Sequence, residues 1–414
     1  MSGSDVRDAI ARAHREEWAR VVAALTRRFG DLDVAEEAAA EAFATAVERW
    51  PVDGVPPNPG GWLTTTANRK AIDRIRREGK RDDKQREAVL VYDDHPPEPV
   101  GVIDDDRLRL IFTCCHPALA MPNRVALTLR LVGGLSVAEI ARAFLVAESA
   151  MGQRITRAKV KIKATGIPYR VPSAEDLPAR VSGVLAVLFL VFNEGYLSTD
   201  ATSPLRHELT AEAIRLARLL RDLLPDDGEV AGLLALMLLT EARRTARVSA
   251  VGDLVPLDEQ DRGAWDARLI AEGHGLVRER LAAAAAAAGV APGRYQILAA
   301  INAVHTSVRD IRDTDWSQVV ALYDQLVRVD PSPIVALNRA IALAELDGPE
   351  VALIAVDRLG DALAGYRPYH VTRADLLRRL GRGRESRAAY DRAIELPGNA
   401  AETVYLTRRR DQLR

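Results

Sequence analysis

Six polar and basic side chains between residues 153 and 161 recur with helical spacing, and their chemistry suits contacts to phosphates and base edges. They are Gln153, Arg154, Thr156, Arg157, Lys159 and Lys161. Together with Lys163, this face carries five cations and no carboxylate. A helix at this position is therefore predicted to bind DNA. The alternative is a helical hairpin whose charged face is only solvated.

An apolar stripe must hold this basic helix in place. Four residues repeat at intervals of three and four positions, and they predict a buried face: Met151, Ile155, Ala158 and Ile162. Upstream, Ser136 stands three residues before Glu139, which is the spacing of a capping box and predicts a first helix that starts at Ser136. Two short helices joined by a tight turn, the second of them basic, predict a helix-turn-helix whose second helix enters the major groove.

A second cationic segment begins at Trp62. From Arg69 to Arg81, seven basic residues stand against two acidic ones, a local excess of five positive charges. Trp62 at the head of such a helix could stack on an unpaired base while arginines hold phosphates; alternatively, Trp62 belongs to the core. The candidate nucleic-acid residues of this segment are Trp62, Asn68, Arg69, Asp73, Arg74 and Arg77.

Acidic side chains dominate the helix before this segment and the polar stretch after it. An alanine-rich helix is predicted up to Trp50, with Asp33 as its cap. It carries Glu36, Glu37 and Glu41, and its apolar stripe includes Phe43 and Trp50; acidic faces of this kind are usually just solvated. Residues 82–106 are rich in carboxylates and have no helical period, which predicts a flexible linker.

The order of these segments resembles an extracytoplasmic-function (ECF) sigma factor of bacterial RNA polymerase, in the sigma-70 family. In that family, the segment similar to residues 33–50 docks on the polymerase clamp. The segment similar to residues 62–77 melts and reads the downstream promoter element, and the segment similar to residues 135–159 reads the upstream element. The resemblance covers about residues 5–166. It implies that the polymerase contacts are Glu36, Glu37, Glu41, Phe43 and Trp50.

Residues 167–414 follow a helical pattern almost throughout. Asp324, Asp357 and Asp391 recur at offsets of 33 and 34 residues, the period of tetratricopeptide (TPR) repeats. Two or three stacked helix pairs over about residues 315–414 are therefore predicted, a scaffold that usually binds protein segments. A plain helical bundle is the alternative.

A polar step follows the most apolar helix of this extension. Asn193, Glu194 and Tyr196 are candidate regulatory contacts to a ligand or partner, or they mark only a capped helix end. The whole chain resembles the subgroup of these sigma factors that carries a long helical C-terminal extension.

Composition limits the classes of protein that this chain can represent. Its 414 residues are 48% hydrophobic with a net charge of −1, which predicts a soluble protein whose nucleic-acid sites are local patches. Cys114 and Cys115 are adjacent, so neither a disulfide framework nor a zinc site is expected. The first residues lack the pattern of a secretion signal, and the longest apolar run, residues 183–192, is too short to span a bilayer. A cytoplasmic protein without a membrane partner is expected.

These observations predict an all-α protein in four parts: a sigma region 2-like domain (1–81), an acidic flexible linker (82–106), a sigma region 4-like helix-turn-helix domain (107–166) and a helical extension (167–414). The expected function is to direct core RNA polymerase to specific promoters and to aid their opening, with the extension as a fused regulatory domain. No phosphate loop, nucleophile elbow or metal-ligand spacing points to an enzyme, a metal or a cofactor. The alternative is a helix-turn-helix transcription regulator with a helical sensor or protein-binding domain, which would need no melting helix.

Overall fold

The computed structural model describes residues 3–79, 105–144, 146–196, 204–247, 255–286, 291–397 and 400–413. Within these ranges the chain forms helices and turns without any strand, and the predicted all-α fold class is confirmed. By its contacts the chain divides into two compact units, Met1–Val191 and Phe192–Arg414. The predicted linker lies outside the described residues apart from Asp105 and Asp106.

The first unit holds the two segments that the sequence marks as cationic. Its helices are α1 (Gly3–Phe29), α2 (Leu32–Asp53), α3 (Pro59–Gly79), α4 (Asp106–Cys114), α5 (Met121–Leu127), α6 (Val137–Ala143), α7 (Glu148–Ala164) and α8 (Leu177–Tyr196), the last of which continues into the second unit. A π-helical turn, Thr128–Val132, extends α5.

The second unit is a succession of helices and two 3₁₀ turns. The helices are α9 (Pro204–Leu223), α10 (Gly228–Glu241), α11 (Arg244–Arg247), α12 (Ala267–Ala286), α13 (Arg294–Thr306), α14 (Trp316–Val329), α15 (Pro333–Leu346), α16 (Pro349–Asp357), α17 (Gly360–Leu363), α18 (Arg367–Arg379), α19 (Gly383–Glu395) and α20 (Ala400–Asp411). The 3₁₀ turns are Arg262–Ala264 and Ile311–Asp313.

Side-chain caps set where α2 and α3 begin. Asp31 Oδ1 accepts hydrogen bonds from the backbone N–H groups of Asp33 (2.8 Å) and Val34 (3.2 Å). Asp31 is therefore the cap, and the prediction of Asp33 is wrong. Asn58 Oδ1 accepts from Gly61 N at 2.9 Å, so α3 starts at Pro59. Trp62 consequently stands in the first turn of α3 rather than at its first residue.

The helix-turn-helix forms as its sequence predicts. Ser136 N donates to Glu139 Oε2 (2.6 Å) and Glu139 N donates to Ser136 Oγ (3.2 Å), which is the reciprocal capping box. The four-residue apolar stripe of α7 is buried. Gly134, in the turn before α6, has a φ of 77°. A Cβ there would stand 2.8 Å from His14 Cε1, so this turn lies directly against α1.

The aspartates that recur near the C-terminus occupy equivalent places. Each aspartate forms an ion pair with an arginine on a later helix, and the two helices of each pair are in contact. The N–O distances are 2.6, 2.7 and 2.9 Å for Asp324–Arg339, Asp357–Arg373 and Asp391–Arg410. The recurrence in the sequence is therefore a recurrence of helix pairs in the structure. These pairs are partly exposed, and each is worth about 0.2–1 kcal/mol.

The apolar helix α8 has a length and composition that a membrane span would also have. It covers 20 residues with a mean hydropathy of 1.5 in its most apolar window. Helices packed inside a protein core share this length and composition, so α8 by itself does not indicate a membrane span. Arg180 in its first turn donates to Phe112 O at 2.7 Å, which attaches the start of α8 to α4.

Candidate nucleic-acid and polymerase interface

The basic face of α7 is open to solvent at most of its predicted DNA contacts. Exposed residues on this face are Gln153, Thr156, Arg157 and Lys161, and Arg154 is half-buried. Ala147 precedes the helix and supplies no capping oxygen, so the first backbone N–H groups of α7 lack a side-chain partner from the cap. The exposed part of this face keeps the chemistry of a phosphate and base contact surface.

Lys159 does not lie on the exposed face. Its side chain is 10% exposed, and its Nζ stands 2.7 Å from Asp33 Oδ1 and 2.5 Å from Glu36 Oε2 of α2. The prediction that Lys159 points to solvent is wrong. The helical period of α7 places Lys159 outside the apolar stripe of that helix, but α2 covers this side of α7.

Glu36 is buried as well. It is 8% exposed and meets Arg130 Nε at 2.5 Å in addition to Lys159. Burial disfavours its charged form, but Lys159 and Arg130 outweigh that effect and hold the pKa of Glu36 below its usual value. Glu36 therefore presents no open carboxylate in this conformation, and its contact with polymerase stays a prediction. We call Asp33, Glu36, Arg130 and Lys159 the Glu36 cluster.

Arg130 joins this cluster to the rest of the first unit. Its Nη1 donates to Leu135 O at 2.8 Å, and its guanidinium lies 5.8 Å from the ring centre of Trp18. The Glu36 cluster thus connects α1, α2, the end of α5 and α7. It brings an acidic surface and a basic surface, which the sequence assigns to different partners, into contact with each other.

The α2–α3 side carries a second set of charges. Arg74 forms an ion pair with Glu37, and Lys70 Nζ lies 3.8 Å from Glu41 Oε2. Beside them is an open polar groove of about 540 Å³, lined by Glu41, Lys70, Asp73, Arg76 and Arg77. Lys70 and Arg76 were not among the predicted contacts, although both contribute to the local charge excess that revealed this helix.

Aromatic residues of α2 and α3 pack against each other. Trp50 is 1% exposed and meets Trp62 edge to face at 5.6 Å between ring centres. Phe43 is 6% exposed and lies 5.7 Å from the ring of Trp18. Phe43 and Trp50 are core residues, and their contact with polymerase stays a prediction. Trp62 is half-buried, so part of its ring remains accessible.

The remaining predicted residues of α3 differ in exposure. Arg69, Asp73 and Arg77 are exposed or partly exposed. Asn68 is half-buried, and its Oδ1 has no hydrogen-bond partner within the described parts of the chain. Arg69 and Arg77 are accessible cations of α3 and suit contacts to a nucleic-acid strand, whereas Asn68 Oδ1 is buried.

Tyr196 is already engaged inside the second unit. The guanidinium of Arg247 lies 4.3 Å from its ring centre, and Phe192 stacks on it at 5.7 Å. Asn193 and Glu194 are half-buried at the end of α8. Arg247 and Phe192 therefore cover part of the Tyr196 ring, and the predicted regulatory contact at Asn193, Glu194 and Tyr196 stays a prediction. Over the described ranges, no three His, Cys, Asp or Glu side chains group as metal ligands.

The first unit thus combines a helical bundle that carries a basic helix with a helix-turn-helix whose second helix exposes basic side chains. Residues 14–81 match the family model of sigma-70 region 2, and residues 109–162 match that of sigma-70 region 4. Residues 180–281 match a family of unknown function, DUF6596. The chain belongs to the ECF branch of the sigma-70 family and carries a C-terminal extension.

Curated relatives are similar to this chain over different lengths. An uncharacterized protein of Rhizobium meliloti (strain 1021) is 43% identical over 400 residues, which cover 95% of this chain and 93% of that protein. The probable ECF RNA polymerase sigma factor SigI of Mycobacterium tuberculosis is 30% identical over 180 residues, 42% of this chain and 60% of SigI. No solved structure matches this chain.

Proposed function

We propose that this chain is a sigma factor that directs core RNA polymerase to specific promoters and aids their opening. The ordered pair of sigma-70 modules, with an exposed basic face on α7, carries this proposal. Sigma-70 proteins are transcription factors rather than enzymes, and their domains imply core polymerase and promoter DNA as partners. A cytoplasmic location follows from the same family.

The roles of individual residues follow from exposure. The open cations of α7 contact the upstream element, and α3 contacts the downstream element through Trp62 and, further along the helix, through the charged groove that includes Asp73 and Arg77. The proposed polymerase contacts are exposed residues of α2 rather than the buried side chains of Phe43 and Trp50. Glu37 is exposed, and the apolar side chains of Val47 and Val52 are 57% and 84% exposed.

The Glu36 cluster holds the two modules in a closed arrangement. While Lys159 is paired with Glu36, neither side chain is available to DNA or polymerase. A polymerase surface that competes for the acidic face of α2 would release α7 for the upstream element. Binding of polymerase and exposure of the full DNA-contact face are thereby coupled.

Start-site-specific transcription by purified core polymerase tests the function. The full chain is expected to support it, and a double substitution, Arg157→Ala with Lys161→Ala, is expected to reduce it. Arg20→Ala is the control, because Arg20 is an exposed cation of α1 outside the proposed DNA face. Duplex binding without start-site-specific transcription would instead support the transcription regulator with a helical sensor domain.

The extension is proposed as a fused regulator that completes the docking surface for polymerase. Its TPR-like helix pairs, from α14 onward, are the proposed contact for a protein segment. Residues 167–196 should stay in the truncated chain, because Tyr169 Oη contacts Ala23 O (2.9 Å) and Asp106 O (3.0 Å) within the first unit and α8 begins in that unit. The cut is therefore placed after Tyr196, where α8 ends. The truncated chain should stay folded, bind promoter DNA and lose transcription. Transcription equal to that of the full chain would contradict this role.

A further inference from the structure

A cavity of about 220 Å³ lies within the second unit, between α10, α12, α13 and α14. Its α10 side is formed by the small residues Ala231, Gly232 and Ala235, and its α12 side by Leu276, Val277 and Leu281. The wall is apolar except for one guanidinium and two amides. Such a lining, with few polar groups, is typical of a small-molecule site.

Close helix contacts keep this cavity from collapsing. A Cβ on Gly232 would stand 2.5 Å from Gln296 N, and a Cβ on Gly273 would stand 2.7 Å from Leu239 Cγ. Glu229 also accepts hydrogen bonds from Tyr295 N and Gln296 N, both at 3.1 Å. These contacts fix α12 and α13 against α10. An empty apolar cavity destabilises a fold in proportion to its volume, which favours an occupant.

Arg280 gives the cavity a cationic end. It is the one cation among the described lining residues, which include no carboxylate. Its Nε has no hydrogen-bond partner among the residues that the structure describes, and its Nη1 donates to Asp226 O at a long 3.5 Å. The adjacent Glu279 is paired with Arg221. A guanidinium in this state matches a carboxylate, which it can bind through two N–H groups.

We propose that this cavity binds a small monocarboxylate, with its apolar tail among α10, α12 and α13 and its carboxylate on Arg280. An engineered cavity of about 150 Å³ holds benzene, so the present volume suits a tail of roughly seven to nine non-hydrogen atoms. Octanoate, with seven tail carbons, is the appropriate probe. The proposal does not depend on the transcriptional role, because binding alone tests it.

Isothermal titration of the full-length protein with octanoate is the experiment. Saturable binding is expected in the native chain. Arg280→Met keeps the apolar part of the side chain and should weaken binding about tenfold or more. Arg278→Met is the matched control, because Arg278 lies on the same helix and outside the lining; its affinity should equal that of the native chain.

Cavity-filling variants test the location of the tail. Ala235→Leu on α10 and Ala300→Leu on α13 each place a larger side chain in the cavity, and either folded variant should lose octanoate binding. Octan-1-ol, which has the tail without the charge, should bind at least about tenfold more weakly than octanoate. The absence of saturable octanoate binding, or equal affinity in Arg280→Met, would overturn the proposal. Undiminished binding in a folded cavity-filling variant would overturn it as well.

Discussion

Replacing Glu36 with glutamine should destabilise the first unit much more than an ordinary surface substitution. The Glu36 side chain is 11% exposed and accepts from two cations at 2.5 Å each. Hydrogen bonds to charged groups contribute about 1.5–3 kcal/mol, and Lys159 keeps Asp33 as a second partner. We therefore expect Glu36→Gln to lower the free energy of unfolding by about 2–3 kcal/mol.

Asp33 provides the matched control within the same cluster. Its side chain is 61% exposed, so its ion pair with Lys159 is screened by water. Asp33→Asn should cost about 0.2–1 kcal/mol. Both substitutions remove one carboxylate near the same lysine, so the difference between the two variants reports the burial of Glu36 together with its contact to Arg130.

Urea unfolding followed by tryptophan fluorescence can report the first unit alone. Three of the five tryptophans lie there, namely Trp18, Trp50 and Trp62. A background with Trp265→Phe and Trp316→Phe removes the signal of the second unit. Glu36→Gln within about 0.5 kcal/mol of this background at pH 7 would refute the account of the cluster, since surface substitutions fall in that range.

The pH dependence supplies a second readout of the same residue. Burial opposes ionisation of Glu36, yet Lys159 and Arg130 lower its pKa in the folded state. A carboxylate with a depressed folded pKa contributes stability above its unfolded pKa and loses it as pH falls through the folded pKa. The stability difference between the background protein and Glu36→Gln should therefore be full at pH 7 and shrink below about pH 4. A difference that stayed constant down to about pH 3 would show that the charge of Glu36 is not its source.

Three further outcomes are expected. Arg157→Ala and Lys161→Ala should each reduce the slope of log affinity against log salt by about one, measured by anisotropy on promoter DNA; an unchanged slope would remove that residue from the interface. Trp62→Ala should spare the closed complex and impair permanganate-detected melting, since stacking on a base is worth about 1–3 kcal/mol, and normal melting would assign Trp62 to the core alone. Gly232→Ala should lower Tm because its Cβ would meet the α13 backbone, whereas Gly275→Ala, with no atom within 4 Å of the added Cβ, should not; equal Tm values would contradict the close contact.

Local patterns in the sequence predicted the all-α fold class and the polarity of α7. The capping box from Ser136 to Glu139 and the apolar stripe from Met151 to Ile162 depend only on residues three or four apart. The recurrence of Asp324 and its equivalents was readable for a related reason, since each aspartate pairs with an arginine 15 to 19 residues further on. Patterns between residues this close in the sequence can be recognised from the sequence alone.

The candidate site was predictable only in part, because exposure depends on what packs against a helix. Phe43 and Val47 belong to one apolar stripe in the sequence, yet Phe43 is 6% exposed and Val47 is 57% exposed. The spacing of polar and apolar residues in one helix cannot show that another helix packs against an edge of its polar face. That is the case for Lys159, which α2 covers.

The sequence by itself determined that the chain is helical, that α7 is basic and that two modules in this order resemble a sigma factor. Only the tertiary structure decided that Glu36 and Lys159 are buried against each other, and that α10, α12 and α13 leave an apolar cavity beside Arg280. These pairings join residues far apart in the chain. Their physical cause is the close packing of different helices, as where Gly232 meets the backbone of Gln296, which no local period encodes.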